Sequence, residues 1–222
     1  MFAVAIDGPA GAGKSTIARR AAAALGFIYV DTGAMYRTVA LYMLRAGVTL
    51  EDSDAVAEQL LRVTVDICYK EDGQHVLLNG EDVSSAIRTP EVSLGASAVS
   101  AHPVVREFLF GLQLSLAEKN NVVMDGRDIG TVVLPHAQAK IFLTASPEER
   151  ARRRFLELQA KGLPDTYEEV LADVKQRDLQ DSTRAVAPLK PAEDAVILDT
   201  TGYTLEESVE KLISLVKERL GV

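Results

Sequence analysis

The chain is poor in aromatic residues, cysteine and histidine. Among its 222 residues there is no tryptophan, and phenylalanine and tyrosine together make up only 5%. So few rings argue against a stacking platform for RNA or single-stranded DNA. The single cysteine, Cys68, cannot form an internal disulfide, so we expect a small buried apolar side chain. His75, His102 and His136 are scattered without the spacing of a metal site.

Long apolar runs and an excess of positive charge are also missing. The longest apolar run, residues 21–30, is too short to span a bilayer. The net charge of −8 disfavours general nucleic-acid binding. No basic leader with a cleavage site precedes the first apolar run, so we expect no secreted precursor. These absences predict a cytoplasmic chain with no nucleic-acid or membrane partner, and a monomer is the default expectation.

Five short apolar runs, with helical stretches between them, indicate an α/β fold. Runs that are apolar on both faces are typical of a parallel sheet covered by helices. Ligands of such sheets bind beyond the carboxyl ends of the strands, where this chain places mostly polar residues. We therefore predict a P-loop-type five-stranded parallel sheet. Its strands are expected at residues 2–6, 27–30, 122–124, 141–143 and 195–198.

The middle of the chain breaks this rhythm and predicts a small antiparallel β insertion. Residues 63–69 alternate, residues 71–73 form a turn, and Asn79-Gly80 after residues 75–78 is a strong hairpin signal. Further helices are expected at residues 89–100, 103–119, 165–181 and 205–220. The chain is thus expected to be one domain, 1–222. It would have a core of residues 1–62 and 121–222, an insertion at about 63–120 and a lid at about 150–165.

Residues 8–15 read Gly-Pro-Ala-Gly-Ala-Gly-Lys-Ser, directly after the first apolar run and before an alanine-rich predicted helix at 17–25. This is the strand–loop–helix context of a phosphate-binding P-loop, in which backbone N–H groups and the helix N-terminus attract phosphate. A plain glycine turn would not need Lys-Ser at this spacing. Lys14 is expected to reach the β- and γ-phosphates of a bound nucleotide, and Ser15 to bind Mg²⁺. The expected nucleotide contacts are Gly8, Pro9, Ala10, Gly11, Ala12, Gly13, Lys14, Ser15 and Thr16.

Two segments after predicted strands carry arginines that suit an anionic acceptor. After the second strand, Gly33, Tyr36 and Arg37 would share one face of a helix, although a helix cap at residue 31 or 32 beside a surface arginine is an alternative. After the third strand, Asp125 occupies the position of a Walker-B acid, which usually holds Mg²⁺ through water. Arg127 follows in a glycine-flanked turn, for which a plain polar turn is the alternative.

Two later segments are also basic. Four arginines crowd the predicted helix at residues 146–161, either as a solvated face balanced by glutamates or, as we favour, as a mobile lid over the transferring phosphates. These are Arg150, Arg152, Arg153 and Arg154. Arg177 and Asp181 have the spacing of an internal salt bridge. Arg184 follows that helix, and its guanidinium is expected to turn back toward the strand ends.

Residues 7–15, 31–37, 125–131 and 184–189 together resemble the bacterial cytidylate kinase family. The resemblance covers nearly the whole chain, including the insertion, which is similar to that family's nucleoside-monophosphate-binding region. It implies ATP- and Mg²⁺-dependent phosphorylation of CMP and dCMP to CDP and dCDP. The P-loop alone is shared with many NTPases, whereas Asp-Gly-Arg-Asp at 125–128 and Arg-Ala-Val-Ala-Pro at 184–188 are far more specific.

The resemblance also implies a role for individual residues. Arg37, Arg127 and Arg184 would hold the phosphate of the acceptor. Ser97, Arg106 and Asp128 would read the cytosine, with Thr32 and Tyr36 lining the same pocket. Arg177 and Asp181 would approach the sugar hydroxyls. Lys14, Arg127, Arg154 and Arg184 would be catalytic, and Ser15 and Asp125 would hold the metal.

Other P-loop proteins remain alternatives at this stage. A kinase that acts on UMP, AMP or a phosphate-free metabolite would share the sheet and the P-loop, although three arginines argue for an anionic acceptor. A GTP-dependent switch would need an Asn-Lys-x-Asp motif, which the sequence lacks. A nucleotide-regulated RNA-binding module is disfavoured by the acidic balance and the scarcity of aromatic rings.

Overall fold

The computed structural model describes residues 1–71, 73–160 and 162–221. The strands are β1 (Ala3–Asp7), β2 (Ile28–Asp31), β3 (Val65–Lys70), β4 (Gly73–Leu78), β5 (Glu81–Asp82), β6 (Val122–Gly126), β7 (Ala139–Thr144) and β8 (Val196–Asp199). The helices are α1 (Lys14–Leu25), α2 (Thr32–Arg45), α3 (Ser53–Leu60), α4 (Pro90–Val99), α5 (Pro103–Lys119), α6 (Pro147–Ala160), α7 (Tyr167–Thr183) and α8 (Leu205–Leu220). A 3₁₀ turn occupies Ala86–Arg88 and a π-helical turn occupies Ile129–Val133.

The main sheet has five parallel strands in the order β2-β6-β1-β7-β8, which confirms the predicted fold class. Its central strand, β1, pairs with β6 on one side and β7 on the other, so that Ile6 lies opposite Asp125 and Ile141. The carboxyl ends of these strands therefore lie side by side. The residues that follow β1 and β6 are placed next to each other, as ligand binding at this edge requires.

The chain divides into two compact units. The first consists of Met1–Tyr29 and Asn120–Val222, and the second of Val30–Lys119. In the first unit, apolar side chains of β1 and β7 pack against the alanine-rich helix α1 and against Leu212 and Val216 of α8. Small alanines allow α1 to lie close to the strands. The predicted division into core, insertion and lid stays a prediction.

The second unit contains the predicted antiparallel insertion, with strand order β3-β4-β5. Asn79 and Gly80 both have positive φ, 50° and 85°, as a type I′ hairpin turn requires. Cys68 lies on β3 and is half-buried, so the expectation of a fully buried side chain was wrong. Strand β3 lies at the edge of this small three-stranded sheet, next to β4, and therefore retains exposed positions.

Most predicted helices are observed within two residues of their expected ends. Helix α3 was not among the predicted helices. Its N-terminus is capped by Asp52, which accepts hydrogen bonds from the N–H groups of Asp54 and Ala55. Asp72 of the predicted turn 71–73 and Lys161 of the predicted helix 146–161 lie outside the described residues. Among the residues that are described, no helix has the length and apolar character needed to cross a bilayer.

Candidate active site

The loop at residues 8–13 joins β1 directly to α1, as the P-loop prediction requires. Gly8, Gly11 and Gly13 have φ values of 152°, 74° and 84°, a region that other residues rarely adopt. A Cβ atom on Gly8 would lie 1.9 Å from the carbonyl oxygen of Leu143 in β7. Only glycine fits there, so the first residue of the loop is determined by the close approach of β7 as well as by φ.

Lys14 is buried, and its ammonium group points into the loop. Its Nζ donates hydrogen bonds of 2.7 Å to the carbonyl oxygens of Gly8 and of Pro9. Burial lowers the pKa of Lys14 to about 7, and the positive charge of Arg127 acts in the same direction, against the opposing effect of Asp125. An anionic phosphate would offset this cost by supplying the counter-charge that neutral carbonyls lack.

The side chains of Ser15 and Asp125 meet at the carboxyl edge of the sheet. Ser15 Oγ donates to Asp125 Oδ2 at 2.9 Å, and the hydroxyl of Tyr29 donates to Asp125 Oδ1 at 3.1 Å. A hydroxyl and a buried carboxylate are the oxygen ligands that Mg²⁺ prefers, with water and phosphate oxygens completing its shell. In the described parts of the chain, no three or more His, Cys, Asp or Glu side chains are grouped so that they could hold a metal ion. The residues fit a Mg²⁺ ion that is shared with a bound nucleotide rather than one held by protein ligands alone.

Asp7, the last residue of β1, connects the P-loop to the turn after β6. Its Oδ1 accepts from the N–H of Ile129 at 2.7 Å and its Oδ2 from the N–H of Gly130 at 2.8 Å. Burial raises the pKa of Asp7 to about 6, although these two hydrogen bonds oppose the rise. Asp7 lies in the segment 7–15 that carries the family resemblance, but no role was predicted for it. Asp7 thereby holds the π-helical turn that follows Arg127 and Asp128.

Four predicted site residues come together in the first unit. Arg127 Nε lies 2.9 Å from Asp181 Oδ2, and Arg184 Nη2 lies 3.9 Å from Asp128 Oδ1. Arg184 ends α7, and its Nε donates to the carbonyl oxygen of Ala187 at 2.7 Å. The expectation that this guanidinium turns back toward the strand ends to meet a ligand stays a prediction. Two arginines and two carboxylates lie together beside the turn that Asp7 holds.

Arg177 and the arginines of α6 have acidic partners. Arg177 pairs with Asp173 at 3.3 Å, whereas Asp181 pairs with Arg127. Arg154 pairs with Glu157 at 3.3 Å and is 41% exposed, while Arg152 and Arg153 share Glu149. The arrangement of Arg152, Arg153 and Arg154 matches the solvated-face alternative for this part of α6, and the lid stays a prediction.

In the second unit, Asp31 is the centre of a compact arginine cluster. Asp31 caps α2 by accepting from the N–H of Ala34, and its Oδ2 lies 2.9 Å from Arg37 Nη2 and 3.3 Å from Arg88 Nη2. Burial alone would raise the pKa of Asp31, but the two guanidinium groups outweigh it and the pKa is lowered. Arg37 is therefore not an ordinary surface arginine, because it pairs with the same aspartate that caps α2. Arg88 was missed, because no motif surrounds it.

The remaining predicted residues of this unit lie on three helices. The guanidinium of Arg106 on α5 lies 5.8 Å from the ring centre of Tyr36 on α2, within cation–π range. Thr32, the first residue of α2, is 3% exposed. Ser97 is an exposed residue of α4, and its carbonyl oxygen accepts from Ser100 Oγ. The unit therefore brings Tyr36 and Arg106 together.

The parallel sheet, the glycine loop and the Lys14, Ser15 and Asp125 arrangement define a nucleotide-binding protein of the P-loop class. Residues 4–218 match the family model described as cytidylate kinase. The chain belongs to the cytidylate kinase family.

Curated relatives extend this similarity over the full length. The chain is 53% identical over 219 residues to a cytidylate kinase of Carboxydothermus hydrogenoformans, covering 99% of both chains. It is 51% identical over 217 residues to a cytidylate kinase of Shouchella clausii, covering 98% of this chain and 96% of the relative. Among solved structures, an uncharacterized protein from Eubacterium ventriosum is similar with a TM-score of 0.53 at 11% identity, covering 98% of this chain and 99% of that one. That last similarity shows the fold alone.

Proposed function

We propose that this protein catalyses the reversible transfer of the γ-phosphoryl group of ATP to CMP and dCMP, forming CDP and dCDP. It is a nucleoside monophosphate kinase. The observation that carries the proposal is the pair of hydrogen bonds from Ile129 and Gly130 to Asp7. They hold the Asp-Gly-Arg-Asp turn of the family against the residue that precedes the P-loop. Groups suited to donor phosphates and groups suited to an acceptor phosphate thus belong to one rigidly connected edge of the sheet.

On the donor side, the P-loop and Lys14 bind the phosphates of ATP. The loop residues from Gly8 to Thr16 supply backbone N–H groups and the N-terminus of α1. Lys14 exchanges its two carbonyl partners for phosphate oxygens and stabilises the charge of the transferring group. Ser15 and Asp125 would hold a Mg²⁺ ion, which neutralises phosphate charge when it is bound.

On the acceptor side, Arg37, Arg127 and Arg184 bind the phosphate of CMP. Each guanidinium already lies near a carboxylate, so each is pre-oriented and can exchange that partner for a phosphate oxygen. The phosphate oxygen of CMP is itself the nucleophile, and no strong general base is required. Catalysis then consists of positioning the two phosphates and neutralising their charge.

The base is read by Ser97, Arg106 and Asp128. Cytosine offers an exocyclic amine and the acceptors N3 and O2, so the carboxylate of Asp128 accepts from the amine while Arg106 and Ser97 donate. Uracil has a carbonyl in place of the amine and would face Asp128 acceptor to acceptor. Such a mismatch costs about 1–3 kcal/mol.

The other predicted residues have supporting roles in this proposal. Thr32 and Tyr36 line the acceptor pocket, and the ring of Tyr36 keeps Arg106 in place. Arg177 and Asp181 contact the sugar hydroxyls. Arg154, which pairs with Glu157 at 3.3 Å, approaches the transferring phosphoryl group when the lid at about 150–165 closes.

A coupled assay of ADP formation over CMP, dCMP, UMP and AMP tests the proposed function. We expect CMP and dCMP to give the highest kcat/KM. Turnover of UMP or AMP at an equal or higher kcat/KM would refute the assignment of the acceptor. Tight GTP preference without any acceptor would instead indicate a nucleotide-dependent switch.

The assignment of Asp128 has its own test. Asp128→Asn replaces an acceptor oxygen by a donor amide at constant size, so the ratio of kcat/KM for CMP over UMP should fall by roughly 10- to 100-fold. ATP affinity should change little. Glu206→Gln, an equal change at a side chain that is 68% exposed, is the control. A CMP-to-UMP ratio that equals that of the unsubstituted protein would remove Asp128 from the base-reading set.

A further inference from the structure

Arg150 differs from the other arginines of α6 because it is almost completely buried, with 3% of its surface exposed. Its guanidinium forms a two-pronged pair with Asp178 of α7, with Nη1–Oδ1 at 2.9 Å and Nη2–Oδ2 at 2.6 Å. Nε donates to the carbonyl oxygen of Ala145 at 2.8 Å. Several partners therefore hold the Arg150 side chain in place, unlike the more exposed arginines that follow it in the sequence.

The same guanidinium also reaches the P-loop. Nη1 donates to the carbonyl oxygen of Ala10 at 3.1 Å. A Cβ atom on Gly11 would lie 3.4 Å from the Cβ atom of Arg150, so the loop passes close to Arg150 at this glycine. Arg150 therefore joins the P-loop, the end of β7 and helix α7 within the first unit.

The contact with Ala10 fixes the direction of one peptide group. In a planar trans peptide, the carbonyl and the N–H point in opposite directions. Because the carbonyl of Ala10 is turned toward Arg150, the N–H of Gly11 is turned away from it. A P-loop needs its backbone N–H groups aimed at phosphate, and the glycine at this position leaves the peptide free to rotate unless something holds it.

We propose that Arg150 is a positioning residue that holds the Ala10–Gly11 peptide of the P-loop in its phosphate-binding orientation, with Asp178 fixing the guanidinium. Arg150 does not touch the nucleotide in this role. The proposal rests on the proposed function only in taking ATP as the phosphoryl donor. It adds a residue of α6, and through Asp178 one of α7, to the determinants of donor affinity.

Arg150→Lys tests the proposal, because lysine keeps the charge but lacks the planar fork that spans Asp178, Ala145 and Ala10. The measurements are the Kd values of Mg-ATP, of inorganic tripolyphosphate and of CMP, each determined separately by calorimetry well below the Tm of the variant. We expect the affinities for Mg-ATP and for tripolyphosphate to fall together by about tenfold, the usual effect of losing one charge-assisted hydrogen bond. The affinity for CMP should change less than twofold.

Arg20→Lys is the matched control, since Arg20 forms an exposed pair with Glu206 and should leave all three affinities unchanged. If tripolyphosphate binds folded Arg150→Lys as tightly as the unsubstituted protein, the proposal is overturned. It is also overturned if only Mg-ATP weakens, because Arg150 would then contact the nucleoside. Equal loss of all three ligands would show a general structural effect and would refute it as well.

A second variant decides the matter if Arg150→Lys does not fold. Asp178→Asn keeps Arg150 but removes the charge that fixes it, so tripolyphosphate affinity should fall by about threefold with CMP affinity preserved. An unchanged tripolyphosphate Kd would overturn the proposal. Failure of CMP phosphorylation would refute the proposed function without affecting these phosphate-binding measurements.

Discussion

Gly8 offers the sharpest test of how the fold shapes the P-loop. In Gly8→Ala the new Cβ atom would lie 1.9 Å from the carbonyl oxygen of Leu143. Contacts below 3.0 Å are essentially never seen for a real Cβ atom, so β1 and β7 would have to separate by about 1 Å. The obstructing atoms belong to the backbone of β7, which is paired with β1, so no flexible side chain can move aside to make room.

Two contributions to the loss of folding stability add in Gly8→Ala. Forcing extra volume into a packed region costs about 1–3 kcal/mol. A strained backbone, here at φ 152°, costs about 1–3 kcal/mol more for a residue with a Cβ atom. The sum of roughly 2–6 kcal/mol is a large share of the usual 5–15 kcal/mol of stability. For a chain of this size the Tm should fall by about 5–20 °C.

Thermal unfolding followed by circular dichroism measures this loss, with Gly26→Ala as the control. Gly26 also has a positive φ, 68°, but a Cβ atom there would meet nothing within 4 Å. Its substitution therefore reports the backbone term alone, about 1–2 kcal/mol. If both variants lose the same Tm, the steric argument for Gly8 is refuted.

Three further outcomes are expected. Lys14→Ala should lower kcat at least 100-fold without lowering Tm, because burying the ammonium is itself unfavourable; a near-normal kcat in the coupled assay would contradict its role. The pKa of Asp7 is raised from 3.8 to about 6 in the folded protein, so the native state binds this proton more tightly than the unfolded chain does. The free energy of unfolding should therefore fall by about 3 kcal/mol as the pH rises from 4 through 6. Asp7→Asn should flatten this decline in urea unfolding between pH 4 and 7, and equal slopes would exclude Asp7 as its source. Thr204→Ala removes the capping box of α8 and should cost about 1 kcal/mol of unfolding free energy in the same assay, whereas no loss would mean that the cap is not a stabilising element.

The parts of the fold that could be predicted from the sequence are those marked by patterns of neighbouring residues. The five strands were found because short runs that are apolar on both faces indicate buried parallel strands. Helices α5 and α8 were predicted with their observed ends, because Pro103 starts one and Gly221 follows the other. Helix α3 was missed because it is only eight residues long, half of them polar, and buries only Val56 and Leu60.

In the candidate site, too, residues marked by a local sequence pattern could be predicted, whereas contacts between distant residues could not. The P-loop could be predicted because its residues are contiguous in the sequence. Ser15 and Asp125 could be expected near each other because ligands of parallel sheets bind at the carboxyl ends of the strands. Asp7 and Arg150 were not assigned their contacts, because their partners lie 122 and 140 residues away along the chain. No local pattern records which backbone groups a buried side chain will meet after the sheet has formed.

The pairing of the proposed phosphate-binding arginines with carboxylates has a consequence for selectivity. Arg37 lies 2.9 Å from Asp31, and Arg127 lies 2.9 Å from Asp181, so an incoming molecule must compete with an internal anion. An uncharged nucleoside or sugar has nothing to offer in that competition, whereas a phosphate dianion outweighs a single carboxylate. In the proposed acceptor site, Asp31 and Asp181 would therefore compete with incoming ligands for Arg37 and Arg127. This competition would screen out unphosphorylated metabolites before the base is read.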